Sequence, residues 1–126
     1  MLKRARVKER EIERIARVCH ETNRAWCRSI GDPVSPVWEE ASEEQRGSVR
    51  TGVRAVLANP RVTAEDSHAN WLATRQAQGW RYGPVKDERT RTHPCMVPFD
   101  DLPEAQRAKD RLFLSVCRAI AGLDGG

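Results

Sequence analysis

Apolar residues recur every three or four positions along much of the chain, and each run stops at glycine or proline, a pattern that predicts a mainly helical fold. Ile12, Ile15, Cys19, Thr22 and Trp26 form one stripe on a helix of about residues 5–30, ended by Gly31, Asp32 and Pro33. A proline-containing connector, PVSPVWEEA, leads to Ser42, which caps a second helix over 43–58 while Gln45 completes a capping box. Val49, Val53, Val56 and Leu57 give that helix its buried face, and Gly47 and Gly52 read as points of close packing. Thr63 caps a third helix over 64–78, which Gly79 stops. Pro103 is placed as the first residue of a fourth helix, with Leu112, Val116, Ala119 and Leu123 as its stripe beside Phe113, Cys117 and Ile120.

The periodicity fails between residues 70 and 103, NWLATRQAQGWRYGPVKDERTRTHPCMVPFDDLP, where Trp, Tyr, cations and proline crowd together. GWRYGP and HPCMVP are each short enough for an extended segment, so at most a small two-stranded β element is expected. An ordered loop this rich in rigid aromatics and charge suits a pocket better than a core. Trp71 and Arg75 lie four residues apart on the third helix and share a face. An indole to stack on a planar ring, with a guanidinium to meet phosphate, makes that pair the first site candidate. Arg81, Tyr82, Arg91 and His93 follow in the loop and add cations or hydroxyl contacts if it folds back. Trp80, directly after Gly79, reads instead as a staple of loop to helix.

Composition narrows the class. With 126 residues, 39% of them hydrophobic and 32% charged, the chain reads as one soluble globular domain over 1–126, with residues 124–126 expected to fray. It shows no signal peptide and no membrane span, so a cytoplasmic location is expected. Cys19, Cys27, Cys95 and Cys117 form no C-x-x-C pair and read as reduced, mostly buried thiols. The net charge of +4 is concentrated in Lys3, Arg4, Arg6, Lys8 and Arg10, a pattern of a solvated helix end more than of a nucleic-acid reader.

WEEASEEQR from Trp38 matches FDDLPEAQR from Phe99 at an offset of 61 residues, each following one helix and preceding another. Two readings account for this: related helix, loop, helix halves about a pseudo-twofold axis, or two ordinary helix starts with acids at the positive end of the helix dipole.

His68, Trp71 with Arg75, GWRYGPVKD (79–87), HPCMVPF (93–99) and LPEAQR (102–107) together resemble the ryanodine receptor (RyR) domain, a module repeated in calcium-release channels and found alone in bacteria and phages. Residues 63–123 form the signature half. Residues 1–60 form an amino-terminal helical half whose VCHETNRAWC and GDPVSPVWEE segments look like the stand-alone bacterial and phage subgroup. The resemblance implies a four-helix RyR-repeat-like domain in which paired repeats hold an adenine nucleotide between Trp side chains, with cations at the phosphates. Carried over by motif, Trp71 stacks on the base while Arg75 and Lys86 meet phosphate. The second wall then falls to Asn23 or Trp26 in the amino-terminal half, or to a second copy of the chain, and a homodimer is expected.

No phosphate-loop or dinucleotide glycine pattern occurs, and the paired carboxylates sit where helix starts explain them. His93 and Cys95 flank Pro94 and should point apart, and the spacing of Cys19, His20, His93 and Cys95 fits no zinc arrangement. No catalytic residue, metal or cofactor is assigned. The expected function is binding of a nucleotide-derived ligand, as a signalling sensor or a sequestering protein. The alternative is a protein-interaction module with no small ligand, and nucleic-acid binding ranks third.

Overall fold

The computed structural model describes residues 2–122, with side chains from Lys8 onward. The side chains of Lys3, Arg4 and Arg6, the stripe residue Leu123 and the tail 124–126 lie outside the described residues. Four helices carry the fold: α1 (Leu2–Ile30), α2 (Glu43–Ala58), α3 (Ala64–Ala77) and α4 (Glu104–Ala121). Two short 3-10 turns, Trp38–Glu40 and Phe99–Asp101, lead into α2 and α4. Strands β1 (Arg81–Tyr82) and β2 (Thr92–His93) pair in parallel, Arg81 with Thr92 and Tyr82 with His93. The chain between them doubles back through an antiparallel bridge between Asp87 and Thr92.

Local chemistry sets the helix ends. Ser42 Oγ accepts from Gln45 N at 3.1 Å, but the Gln45 side chain donates to Ser35 Oγ at 2.9 Å, so only half of the predicted capping box forms and the other half ties α2 to the connector. Thr63 and Asp66 form the full reciprocal box on α3. Gly31 (φ 76°) and Gly79 (φ 89°) take the left-handed conformation that closes α1 and α3, which a side chain would strain. Pro103 is the cap and α4 begins at Glu104, because a proline with ψ 154° stands outside the helical turn.

Ile12, Ile15, Ala16 and Cys19 of α1 form the core with Trp38, with Val53 and Val56 of α2, and with Leu114 and Cys117 of α4. The stripe of α1 is therefore used within this chain. On α4 the buried stripe is rotated from the predicted one: Leu114 and Cys117 are buried, Phe113, Val116 and Ile120 pack beside them, and Ala119 is exposed. Helix α4 packs against all three others, so apolar residues surround most of it and several stripes fit the same sequence. Gly52 does allow close packing, since a Cβ there would lie 3.0 Å from the Phe113 ring, whereas Gly47 faces open space.

The two halves repeat one another. His20 Nε2 lies 2.7 Å from the Pro36 carbonyl and the ring packs edge-on to Trp38. His68 Nε2 lies 2.7 Å from the Val97 carbonyl, beside Phe99. His20 precedes Gly31 by the same 11 residues that separate His68 from Gly79, an offset of 48 for the first helix of each half. From Asp32 and His93 onward the offset is 61, so the thirteen residues 80–92 are an insertion without counterpart in the first half. Gly52 and Phe113 are themselves equivalents at that offset and touch each other. Contact between equivalent residues is what an approximate twofold arrangement of the halves predicts, and ordinary helix starts alone do not predict it.

Candidate functional site

A cavity of about 620 Å³ opens over the Gly52–Phe113 contact, within the size range of small-molecule sites. It lies between the halves, because both members of several equivalent pairs line it: His20 and His68, Asn23 and Trp71, Gln45 and Gln106, Ser48 and Lys109. Equivalent positions carry unlike chemistry. The amino-terminal wall presents Asn23, Ser48 and Val49 where the other presents Trp71, Lys109 and Asp110.

On the carboxy-terminal wall, α3 places Trp71 and Arg75 one turn apart, and the loop folds back over them. The Trp71 ring stacks on His68 at 5.5 Å, with 25° between planes, and meets the edge of His93 at 5.1 Å. The Arg75 guanidinium lies 5.2 Å from the centre of the Trp80 ring and donates to Gln78 Oε1 at 3.2 Å. Lys86 reaches across to the amino-terminal half, its Nζ 3.3 Å from Ser35 Oγ. Pairing through Gly83, whose nitrogen donates to the His93 carbonyl, holds the inserted loop on β2. Arg91, at φ 56°, donates to Glu44 at 2.5 Å and to the Gln78 carbonyl at 2.7 Å, joining the loop to α2 and the end of α3.

The electrostatics of this wall are uneven. Lys109 is paired with Asp32 at 3.0 Å and Arg91 with Glu44, but among the described residues neither Arg75 nor Lys86 has a carboxylate within 4.0 Å. Burial holds the Arg75 guanidinium below its ordinary value, and burial and then the charge of Arg75 do the same to the Lys86 ammonium. His93 is driven down to about 3, first by burial and then by Lys86, Lys109 and Arg75. Its Nδ1 accepts from the Cys95 amide at 3.0 Å, so the neutral ring carries its proton on Nε2 and is a donor there. Burial works against the charge on Lys109, yet the Asp32 bond carries its value above the ordinary one. Arg75 Nε and Trp80 Nε1, both on residues lining the cavity, are buried without a hydrogen-bond partner; Nε of Arg46 and Arg107 share that condition outside it. Cations left without a carboxylate in a desolvated site favour an anionic acceptor in the cavity beside them.

Of the predicted site residues, Trp71, Arg75, Lys86, Arg91, His93 and Asn23 line the cavity. Tyr82 is 57% exposed, Arg81 is likewise exposed, and neither lines the cavity. Trp26 turns away from it and donates to the Ala105 carbonyl at 2.8 Å, joining α1 to α4. Sequence reasoning missed Ser35, Lys109 and Asp110 as lining residues and read Trp80 as a staple. It is that, and it also faces the cavity. The repeated helix starts carried the missing signal, since the 61-residue offset that aligns them sets Lys109 against Ser48.

Cys19 and Cys117 lie with their sulfurs 3.7 Å apart in the core, while Cys95 faces Gln106 Oε1 at 3.4 Å. His20 pairs with the Pro36 carbonyl, and His93 accepts from the Cys95 amide.

Comparison with known families gives one finding. The family model described as the RyR domain matches residues 54–118, from the last turns of α2 through α3, the inserted loop and most of α4, just over half of the chain.

Proposed function

We propose that this chain, which belongs to the RyR domain family, is a non-catalytic module that holds a small nucleotide-derived ligand in the cavity between its halves, as a sensor or a sequestering protein. The ligand class is an adenine nucleotide, ADP-ribose or a cyclic nucleotide. One observation carries the reading: Arg75 and Lys86, half-buried and without a carboxylate within 4.0 Å, line a cavity of about 620 Å³ together with Trp71 and Trp80. Uncompensated cations in a desolvated site cost stability until an anion meets them, and a phosphate group supplies several acceptor oxygens at once. The indole of Trp71 supports the ring end, since base–aromatic stacking contributes about 1–3 kcal/mol. His68 stacks on one face of that indole and His93 meets it at 74° between planes, which hold the ring in place on the cavity wall.

Thermal unfolding with adenine nucleotides, ADP-ribose and cyclic nucleotides tests the reading. At about 100 times its dissociation constant, a true ligand stabilises the fold by about 2.7 kcal/mol. Trp71→Ala and Lys86→Met should each remove that response. Lys86→Met should also leave the ligand-free protein as stable as the wild type or on the order of 1 kcal/mol more so, because it removes a buried charge. A response that survives both substitutions would refute the assignment, and no response from any ligand would move the site to a macromolecular partner.

A further inference from the structure

We infer that the cavity takes a ligand with one aromatic ring and one phosphate-bearing group, and that Asn23 is the residue that excludes ligands with a second stacked ring. This rests on the nucleotide reading above and narrows its ligand class. The argument begins from the approximate twofold. Asn23 and Trp71 are equivalents at the 48-residue offset, and both line the same cavity over the contact of Gly52 with Phe113. A symmetric pair of indoles would offer two stacking faces across the axis, one for each ring of a two-base ligand or both sides of a single one. Here only one wall has an indole.

The opposite wall has a short amide, which donates and accepts but supplies no π surface. Thr22, Ser35 and Ser48 line the same side and add hydroxyl groups. That surface fits a sugar better than a base. The charge is equally one-sided: Arg75 and Lys86 both belong to the second half, while Cys27 stands at the position equivalent to Arg75. Glu44 bears on Arg75 and the exposed Glu88 on both cations, each from beyond pairing distance. Both indoles, Trp71 and Trp80, and every cation that lines the cavity stand on one wall, so the other wall offers neither an indole nor a cation to the second half of a cyclic dinucleotide.

Calorimetric titration of the full chain with adenosine monophosphate, ADP-ribose and cyclic di-adenosine monophosphate tests this. The wild type should bind one or both single-base ligands, and the two-base ligand at least roughly 10-fold more weakly. Asn23→Trp should raise affinity for the two-base ligand by roughly 5- to 150-fold, the range of one base–aromatic stack. Equal wild-type affinity for both classes would overturn the inference while leaving the nucleotide reading intact. So would a folded Asn23→Trp protein with an unchanged preference. Should that variant fail to fold, the wild-type ratio alone decides. Binding of none of the three to the wild type would sink the underlying reading and this inference with it.

Discussion

Asp110 shows how one buried group can be read through pH. Burial pushes its carboxyl up to about 7 against the pull of Lys109 and Arg111, and it lies 3.7 Å from His68 Nδ1. In the unfolded chain the same group ionises near pH 4. Between about pH 4 and about 7 the native state therefore keeps a proton that the unfolded state has lost, so this group lowers stability as pH rises through that window and adds nothing further above it. His93, held down to about 3, acts in the opposite sense over an overlapping range: the unfolded chain takes up a proton as pH falls below about 6.5 and the native ring does not. A comparison with Asp110→Asn, which keeps the shape and removes the titration, isolates the carboxyl. The Asn variant should gain on the wild type by several degrees in Tm between pH 4 and 7, then hold a constant lead to pH 8. A gap that narrows with rising pH would contradict the buried, protonated carboxyl.

Among the elements, the two-residue strands bear on the site more than their size suggests, because they fix where the inserted loop sets down His93 and Arg91. Their closeness depends on Gly83, where a Cβ would stand 2.5 Å from Thr92 Cβ and 2.9 Å from its Cγ2. Gly83→Ala should cost about 1–3 kcal/mol as an overpacked contact and weaken ligand binding as β1 and β2 separate. Gly83→Ala combined with Thr92→Gly, which clears the obstructing side chain, should recover part of both, measured by urea unfolding and by titration. Equal loss in the single and double variants would assign the effect to something other than this contact. The helices were legible in sequence because Ser42, Thr63, Gly31 and Gly79 act within a few residues of themselves. What sequence could not supply was contact across many residues: Gln45 leaving its own cap for Ser35, or α4 turning Leu114 and Cys117 inward when Leu112 and Val116 formed an equally regular stripe. In the site, Trp71 and Arg75 were legible from helical spacing, whereas Lys109 and Ser35 come to the cavity only through the packing of the halves.

At the scale of the whole molecule, the echo between Trp38 and Phe99 pointed to two halves, but thirteen extra residues hid the alignment of α1 with α3, which appears only once His20 and His68 are seen to make the same bonds. The halves are not independent units. The core joins Ile12, Ile15 and Cys19 of the first to Leu114 and Cys117 of the second, and Trp26 donates across to Ala105. Phe113 is central to this union, since it packs on the core and abuts Gly52 beneath the cavity. Unfolding should then be a single cooperative transition, seen alike by helical circular dichroism and by the fluorescence of Trp26, Trp38, Trp71 and Trp80, which sample both halves. Phe113→Ala should lower stability by about 3 kcal/mol and move both signals together. If the helical signal instead split into two steps, with the core around Trp38 outlasting α3 and the inserted loop, the cavity would lie between separable units and a ligand would have to order one of them on binding. A single shifted transition would mean that the cavity is built before any ligand arrives, with its walls held by the same packing that folds the chain.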